Sequence, residues 1–255
     1  MKTNIFGLLL ALLFSTTALL AQNPRQLIDE MMTALGGKQN FYNQGNVSYD
    51  YEYTDPNGGL SLQGKETYMF DGELSRGDYQ EHSLLGAAGK VVEGYDGQAA
   101  WVTFDGKIST DPQANGVARF LRKTNYYWFT MFFKLQDEGV NLEFVGTKKV
   151  EGRDYNLVRV TFGNAVGDAQ DTYVLYLNQR TKLVDQFLFT VIGFGVKEPN
   201  LMKLHYETVG GIKVATERVY VASNWEGEIV GEQWATTYWT NIVFGKPLDK
   251  SIFAK

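Results

Sequence analysis

The sequence predicts a mainly β protein with helices, in which a curved antiparallel sheet of about eleven strands, strongly curled or closed, wraps around one central helix. Most of the chain consists of short stretches with apolar residues at every second position, separated by tight-turn signals such as Asp-Gly. One intensely aromatic segment, residues 125–135, interrupts these strands and has the spacing of a helix. A helix that is apolar on more than one side must be buried, and a sheet of this many strands curls enough to cover it.

The N-terminus has the pattern of a secretory signal peptide. Lys2 precedes a mostly apolar run from Ile5 to Leu20, and the small residue Ala21 follows it. The run is short for a bilayer-spanning helix, which needs about 20 apolar residues. We therefore expect a signal peptide at residues 1–21 and a single domain at residues 22–255. The mature protein is expected in the periplasm or secreted, without a transmembrane segment; an uncleaved anchor is the alternative.

The amino-acid composition excludes disulfide bonds and argues against a nucleic-acid partner. The chain has no cysteine, so it forms neither a disulfide nor a lipid anchor on cysteine, and a sizeable core must hold it together. Its formal net charge is −5 and it has no basic run. Because Lys and Arg contacts to phosphate supply most of the affinity for nucleic acids, we expect no nucleic-acid partner.

The mature chain begins with a predicted short amphipathic helix. Asn23 is a favourable N-cap, Pro24 suits the first helical position, and Gly36 and Gly37 supply the stop. From Val47 the apolar period changes to two, which indicates a half-buried strand. Further strand-like runs and turns up to about residue 104 predict an antiparallel meander.

The central helix is predicted from about Asp111 to Gln136, and a break at Asn125 into two shorter helices is left open. Its apolar residues fall on two sides when they are projected at about 100° per residue. The broad side holds Val117, Phe120, Leu121, Tyr127, Trp128, Met131, Phe132 and Leu135, and the opposite side holds Tyr126, Phe129 and Phe133.

Strands resume at Leu142 and are joined by short polar connectors that are typical of hairpins. The final stretch, residues 229–244, is long enough to bend or to split into two strands. Sequential hairpins favour an antiparallel sheet, because parallel strands need long crossover connections. The sequence shows no Pro- or Ser-rich linker and no repeat, so a single domain is predicted.

Three stretches carry a resemblance to a known superfamily: Gly94–Gly97 before Trp101, the aromatic helix, and residues 242–249 before Phe253. In this order of elements they resemble the periplasmic lipoprotein carriers with the LolA/LolB-like fold. The chain looks still more similar to a family of secreted bacterial proteins of unknown function within that superfamily. The resemblance implies an unclosed β-barrel around a helical lid, with an acyl chain held between them.

The aromatic helix supplies the candidate ligand-binding residues. Tyr126, Phe129 and Phe133 are the stronger candidates, because the side of the helix that does not pack on the sheet must meet loops, a partner or an apolar ligand. Three residues of the broad side, which is expected mainly to fill the core, complete the candidate set: Trp128, Met131 and Phe132.

No constellation of residues identifies a reaction. The chain has two histidines, His82 and His205, and these fall short of the ligands that a zinc site needs. A Gly-x-Ser-x-Gly nucleophile motif is also missing. We therefore predict no enzyme activity, no catalytic residue, no cofactor and no metal.

The leading functional prediction is an exported protein that binds a hydrophobic small molecule or lipid between the sheet and the helix. The alternative is an interaction module that binds another protein of the bacterial envelope and holds no ligand. A hydrolase with paired carboxylates and a sugar site on exposed tryptophans are weaker hypotheses that the sequence leaves open.

Overall fold

The computed structural model describes residues 22–86, 89–163 and 170–255. The predicted signal peptide, residues 1–21, lies outside these ranges, so the cleavage site and the domain boundary stay predictions. Within them, no helix is both long enough and apolar enough to cross a membrane.

The secondary structure consists of two runs of strands on either side of a long helix. The described helices are α1 (Pro24–Ala34), α2 (Lys38–Asn43) and α3 (Pro112–Lys134). The strands before α3 are β1 (Asn46–Asp55), β2 (Leu60–Met69), β3 (Leu74–His82), β4 (Val91–Tyr95), β5 (Ala100–Phe104) and β6 (Lys107–Ile108). The strands after α3 are β7 (Val140–Val150), β8 (Arg153–Phe162), β9 (Tyr173–Asn178), β10 (Val184–Val191), β11 (Val196–Val209), β12 (Ile212–Ala222) and β13 (Ala235–Phe244).

All these strands form one antiparallel sheet of 13 strands in the order β6-β5-β4-β3-β2-β1-β13-β12-β11-β10-β9-β8-β7. Each run is a meander, and the two meet where the last strand, β13, pairs with the first, β1. Strands β6 and β7 are the two edges, and α3 connects them across one face of the sheet. We call this the inner face. The predicted fold class, an unclosed antiparallel sheet around a helix, is confirmed.

The sheet has two strands more than the sequence predicted. The missed strands are β3, which has few apolar residues, and β6, which is two residues long. The final stretch, in contrast, forms the single strand β13, and Ile229 before it makes only an isolated bridge to Ser223.

The caps of α1 and α3 are those that the sequence indicates. Asn23 Oδ1 accepts the N–H of Arg25 at 3.0 Å, and Asp111 Oδ1 accepts the N–H of Gln113 at 3.0 Å. Helix α3 runs unbroken through Asn125, which answers the question that the sequence left open. Asn125 can stay inside the helix because its side chain has a partner across the core: its Nδ2 donates to Glu66 Oε1 at 3.0 Å.

The C-terminus closes the meander before α3 by packing on it. Phe253 is fully buried, and its carbonyl accepts the indole N–H of Trp101 at 2.8 Å. Arg76 of β3 donates to the carbonyl of Ile252 at 2.9 Å. Trp101 is therefore a core residue and not an exposed platform for a sugar.

Candidate functional site

Both apolar sides of α3 pack on the inner face, each against a different half of the sheet. Phe129 stacks on Tyr49 of β1, with ring centroids 5.1 Å apart. Trp128 stacks on Phe187 of β10, with ring centroids 5.9 Å apart. The backbone of α3 lies close to β3, β4 and β5. It lies farther from β10, and large side chains such as Trp128 bridge that distance. This arrangement explains why the helix is apolar on two sides.

The six predicted ligand-binding residues lie in different surroundings. Phe129, Phe132 and Phe133 line one small inner cavity. Tyr126 packs edge-on against Tyr68 of β2 with ring centroids 5.4 Å apart. Met131 is fully buried and Trp128 is half-buried. A role as ligand contacts stays a prediction for all six residues.

The inner cavity lies between α3, α2 and the strands β12 and β13. Besides the three phenylalanines of α3, its walls include Phe41 of α2 and Trp239 of β13. Phe41 stacks on Phe133 with ring centroids 4.2 Å apart, so the wall on this side is tightly packed. The cavity volume is about 10 Å³, which is room for about one water molecule. An apolar chain would therefore have to displace side chains to enter.

The inner cavity lies beside a split in the sheet. Strand β12 pairs with β13 only from Glu217 to Tyr220, whereas β11 follows β12 down to Ile212 and β1 follows β13 down to Phe244. Residues 212–216 of β12 and 239–244 of β13 therefore do not pair with each other, although each range pairs with the strand on its other side. A register shift at Thr216 accompanies the split, in agreement with the tendency of β-bulges to end pairing and re-aim side chains.

An outer cleft of about 200 Å³ lies at the same split. His205 and Glu207 line it from the face opposite to Tyr206, which packs on the core, and Glu217 lines it from β12. Trp239 lines both the outer cleft and the inner cavity, so this residue separates them. His205 and Glu207 share this face, but the described residues contain no group of three His, Cys, Asp or Glu side chains that could hold a metal.

A buried arginine without a charged partner marks the end of the β12–β13 pairing. Arg218 is 3% exposed and lines the inner cavity. Its guanidinium lies over the ring of Trp239 at 4.1 Å, and its Nε donates to the carbonyl of Ala215 at 3.4 Å. Among the described residues, no side chain forms a hydrogen bond with its Nη1. Burial lowers the pKa of Arg218 to about 10, so it is still charged at neutral pH.

A second buried arginine is fully paired. Arg122 of α3 donates from Nη1 and Nη2 to the two carboxylate oxygens of Glu66 at 2.5 and 2.8 Å, and from Nε to Glu93 at 3.0 Å. Its Nη2 also donates to the Tyr79 hydroxyl, which itself donates to Glu66 at 2.5 Å. Burial alone would lower the pKa of Arg122, but the charge of Glu66 raises it well above its ordinary value.

His82 extends this network to the end of β3. The N–H of Leu85 donates to His82 Nδ1 at 3.3 Å, so Nδ1 carries no proton. The other ring nitrogen, Nε2, then donates to Glu93 at 2.9 Å. The network holds two carboxylates, one guanidinium and one neutral imidazole, all fully buried. It fixes α3 to β2 and β4, the half of the sheet before α3.

Sequence reasoning named neither arginine, although one signal pointed to Arg122. Arg122 lies four and seven residues before Tyr126 and Phe129, so the helical period places it on a buried side of α3. For Arg218 there was no such signal, because its isolation depends on which side chains the sheet brings around it.

Comparisons with known proteins agree with this architecture. A family model described as a family of unknown function, DUF6503, matches residues 102–198, which hold α3 and the strands β7–β10. The search of curated protein sequences gave no significant match.

Three solved structures share the fold at low sequence identity. A LolA superfamily protein from Nitrosomonas europaea superposes with a TM-score of 0.55 and 11% identity, over 92% of this chain and 99% of that one. A DUF1329 family protein from Desulfovibrio piger has a TM-score of 0.55 and 12% identity, over 91% and 98%. A domain assigned to outer membrane lipoprotein sorting, from Vibrio parahaemolyticus, has a TM-score of 0.55 and 10% identity, over 91% and 97%. The resemblance that the sequence indicates is confirmed for the fold: this chain has the architecture of LolA superfamily proteins.

Proposed function

We propose that this protein is an exported, non-enzymatic binding protein for an apolar ligand, a lipid or an acyl chain. The observation that carries the proposal is the inner cavity beside the β12–β13 split, where three of the six predicted residues, Phe129, Phe132 and Phe133, come together. The cavity lining, mostly apolar with a few polar groups, is that of a small-molecule site, but such sites have about 300–1,000 Å³ and this cavity has about 10 Å³, so the ligand would have to open it.

The ligand would occupy the space between α3 and the strands β10–β13. Helix α3 is held differently by the two halves of the sheet. Buried ion pairs of Arg122 hold it to β2 and β4. Towards β10, α3 contacts the sheet through aromatic rings, such as Trp128 on Phe187. Ring contacts exchange for contacts with an acyl chain at little cost, because both are apolar, whereas breaking a buried ion pair is strongly unfavourable.

The alternative function, an interaction module without a ligand, would use an open edge of the sheet or its convex face. The longer of the two edges is β7, which has a register shift beside Gly146, an exposed lysine, Lys149, and a half-buried one, Lys148. Bulges and lysines are the features by which natural edge strands avoid pairing with other chains. We therefore favour the ligand-binding function.

Native mass spectrometry tests the proposal directly. The mature protein, beginning at Gln22, is purified from the periplasm without detergent, and the same sample is extracted with organic solvent. A stoichiometric adduct that appears in the extract supports an occupied cavity and identifies the ligand class. A clean apo mass, with no uptake when lipids are offered, contradicts the proposal.

A pair of conservative variants tests the position of the site. Phe129→Leu combined with Phe133→Leu reduces the ring surface around the inner cavity, and we expect weaker retention of the ligand. Phe70→Leu is the matched control, because Phe70 also stacks on Phe41, with centroids 4.6 Å apart, but does not line the cavity. Equal retention in both variants would show that the two phenylalanines of α3 serve the core alone.

A further inference from the structure

We propose that the inner cavity binds the anionic head of an apolar ligand, a carboxylate or a phosphate, and that Arg218 is its cationic partner. This inference rests on the proposed binding function and adds the chemistry of the head group.

The first step is that Arg218 is a buried charge without a counter-charge. Its side chain makes no ion pair within the described part of the chain, although it is 3% exposed. A buried charge is expensive unless it is paired, so proteins seldom keep one without a use. Lys213, which lines the same cavity, carries the same sign of charge as Arg218. Four tyrosines near it stay neutral, because burial raises their pKa values: Tyr206, Tyr49, Tyr51 and Tyr68.

The second step is that the buried polar groups without a hydrogen-bond partner in the residues that line the inner cavity are hydrogen-bond donors. Arg218 Nη1 and Trp239 Nε1 both lack a hydrogen-bond partner among the described residues. Neither side chain can accept a hydrogen bond. The missing partner must therefore be an acceptor, and an anion satisfies a guanidinium best.

The cation–π contacts of Arg218 do not remove this requirement. The guanidinium lies 4.1 Å from the centre of the Trp239 ring and 5.8 Å from that of Trp128. An aromatic face attracts the positive charge, but it does not supply the acceptor that Nη1 lacks.

The third step is that the two sides of the split differ in charge. The outer cleft carries Glu207 and Glu217. The inner cavity carries Arg218, with Lys213 at its margin. An anionic head is repelled by the first set of charges and attracted by the second, so it belongs on the inner side, with its apolar chain among the phenylalanines of α3.

The experiment compares ligands that share one saturated chain and differ only in the head. Hexadecanoic acid, hexadecyl phosphate and 1-hexadecanol each displace a neutral fluorescent probe, N-phenyl-1-naphthylamine, from the mature protein at neutral pH. We expect at least one of the anionic ligands to bind about tenfold or more tightly than the alcohol, as one charged hydrogen-bond contact provides. The stronger of the two identifies the head as a carboxylate or a phosphate.

Variants assign this preference to Arg218. Arg218→Met is expected to bind all three ligands alike, while Arg218→Lys keeps part of the preference through its ammonium group. Arg159→Met is the matched control, because it removes one positive charge from an exposed ion pair with Glu143. The melting temperature of Arg218→Met should equal or exceed that of the wild type, because the substitution removes an unpaired buried charge.

The outcomes separate this inference from the function on which it rests. Equal affinity for the acids and the alcohol in the wild type, or an unchanged preference in Arg218→Met, overturns the head-group assignment and leaves the binding function in place. No uptake of any of the three ligands by the wild type overturns the binding function itself. The comparison of ligands in the wild type does not depend on how well any variant folds.

Discussion

Replacing Arg122 with Met should be one of the most damaging single substitutions in this protein. The change removes the guanidinium that pairs with Glu66 at 2.5 and 2.8 Å and with Glu93 at 3.0 Å. Both carboxylates are fully buried, so water cannot take over the lost contacts. Breaking a buried ion pair by removing one partner costs about 3–5 kcal/mol. In a chain of this size, that loss lowers the melting temperature by roughly 10 °C.

Urea unfolding followed by circular dichroism measures this loss. Arg159→Met is the control, because the Arg159–Glu143 pair is exposed and should contribute less than about 1 kcal/mol. Adding Glu66→Gln to Arg122→Met neutralises one stranded carboxylate and should restore about 1 kcal/mol or more. Similar losses in Arg122→Met and Arg159→Met, or no recovery in the double variant, would refute the view that a buried ion network fixes α3 to the sheet.

The remaining predictions concern packing, helix propensity and pH. Trp101→Phe removes the hydrogen bond to the Phe253 carbonyl and should cost about 1–3 kcal/mol in urea unfolding, while Trp225→Phe, at an exposed position, should change little. Gly116→Ala should raise stability by up to about 1 kcal/mol, because this exposed glycine lies inside α3 and no atom crowds an added methyl group; a loss of stability would contradict this. The affinity for hexadecanoate should be constant from about pH 6 to pH 9 and fall above about pH 10, because the carboxylate stays charged throughout and Arg218 is protonated below its pKa of about 10. A displacement titration across this range checks the pH prediction, and a fall that begins near neutral pH would exclude Arg218 as the group responsible.

The sequence predicts best those elements that depend on interactions between residues close together in the chain. Asn23 and Asp111 cap their helices by hydrogen bonds to residues two positions further on, so a few letters contain the signal. Strand β1 alternates buried and less buried residues as its period of two requires. Strand β3 was missed because Arg76 and Asp78, which pair with each other, alternate there with Ser75 and Gly77, and the apolar period is lost.

The sequence predicted the aromatic residues of the candidate site but neither the split in the sheet nor Arg218. The aromatic pattern of α3 placed Tyr126, Phe129 and Phe133 on one side, but the inner cavity is lined by Phe129 and Phe133 of that side together with Phe132 of the broad side. The split between β12 and β13, in contrast, arises from pairing registers with β11 and β1, which are contacts between distant parts of the chain. The partner of a buried arginine is likewise a fact of tertiary structure, and an arginine in a strand-like run gives no sign of it.

The two buried arginines differ in how completely they are satisfied, and this difference separates structure from function. Arg122 meets two carboxylates and a tyrosine hydroxyl within the described residues, so its charge holds α3 in place whether or not a ligand is bound. Arg218 meets one backbone carbonyl and two aromatic faces, and the protein bears the cost of its charge. The variant Arg122→Met should accordingly be less stable than the wild type. The variant Arg218→Met should be as stable as the wild type or more stable. A stability that is equal or higher without the guanidinium would show that Arg218 does not hold the empty protein together. Opposite signs for the two substitutions would therefore separate a structural charge from one that is available to a ligand.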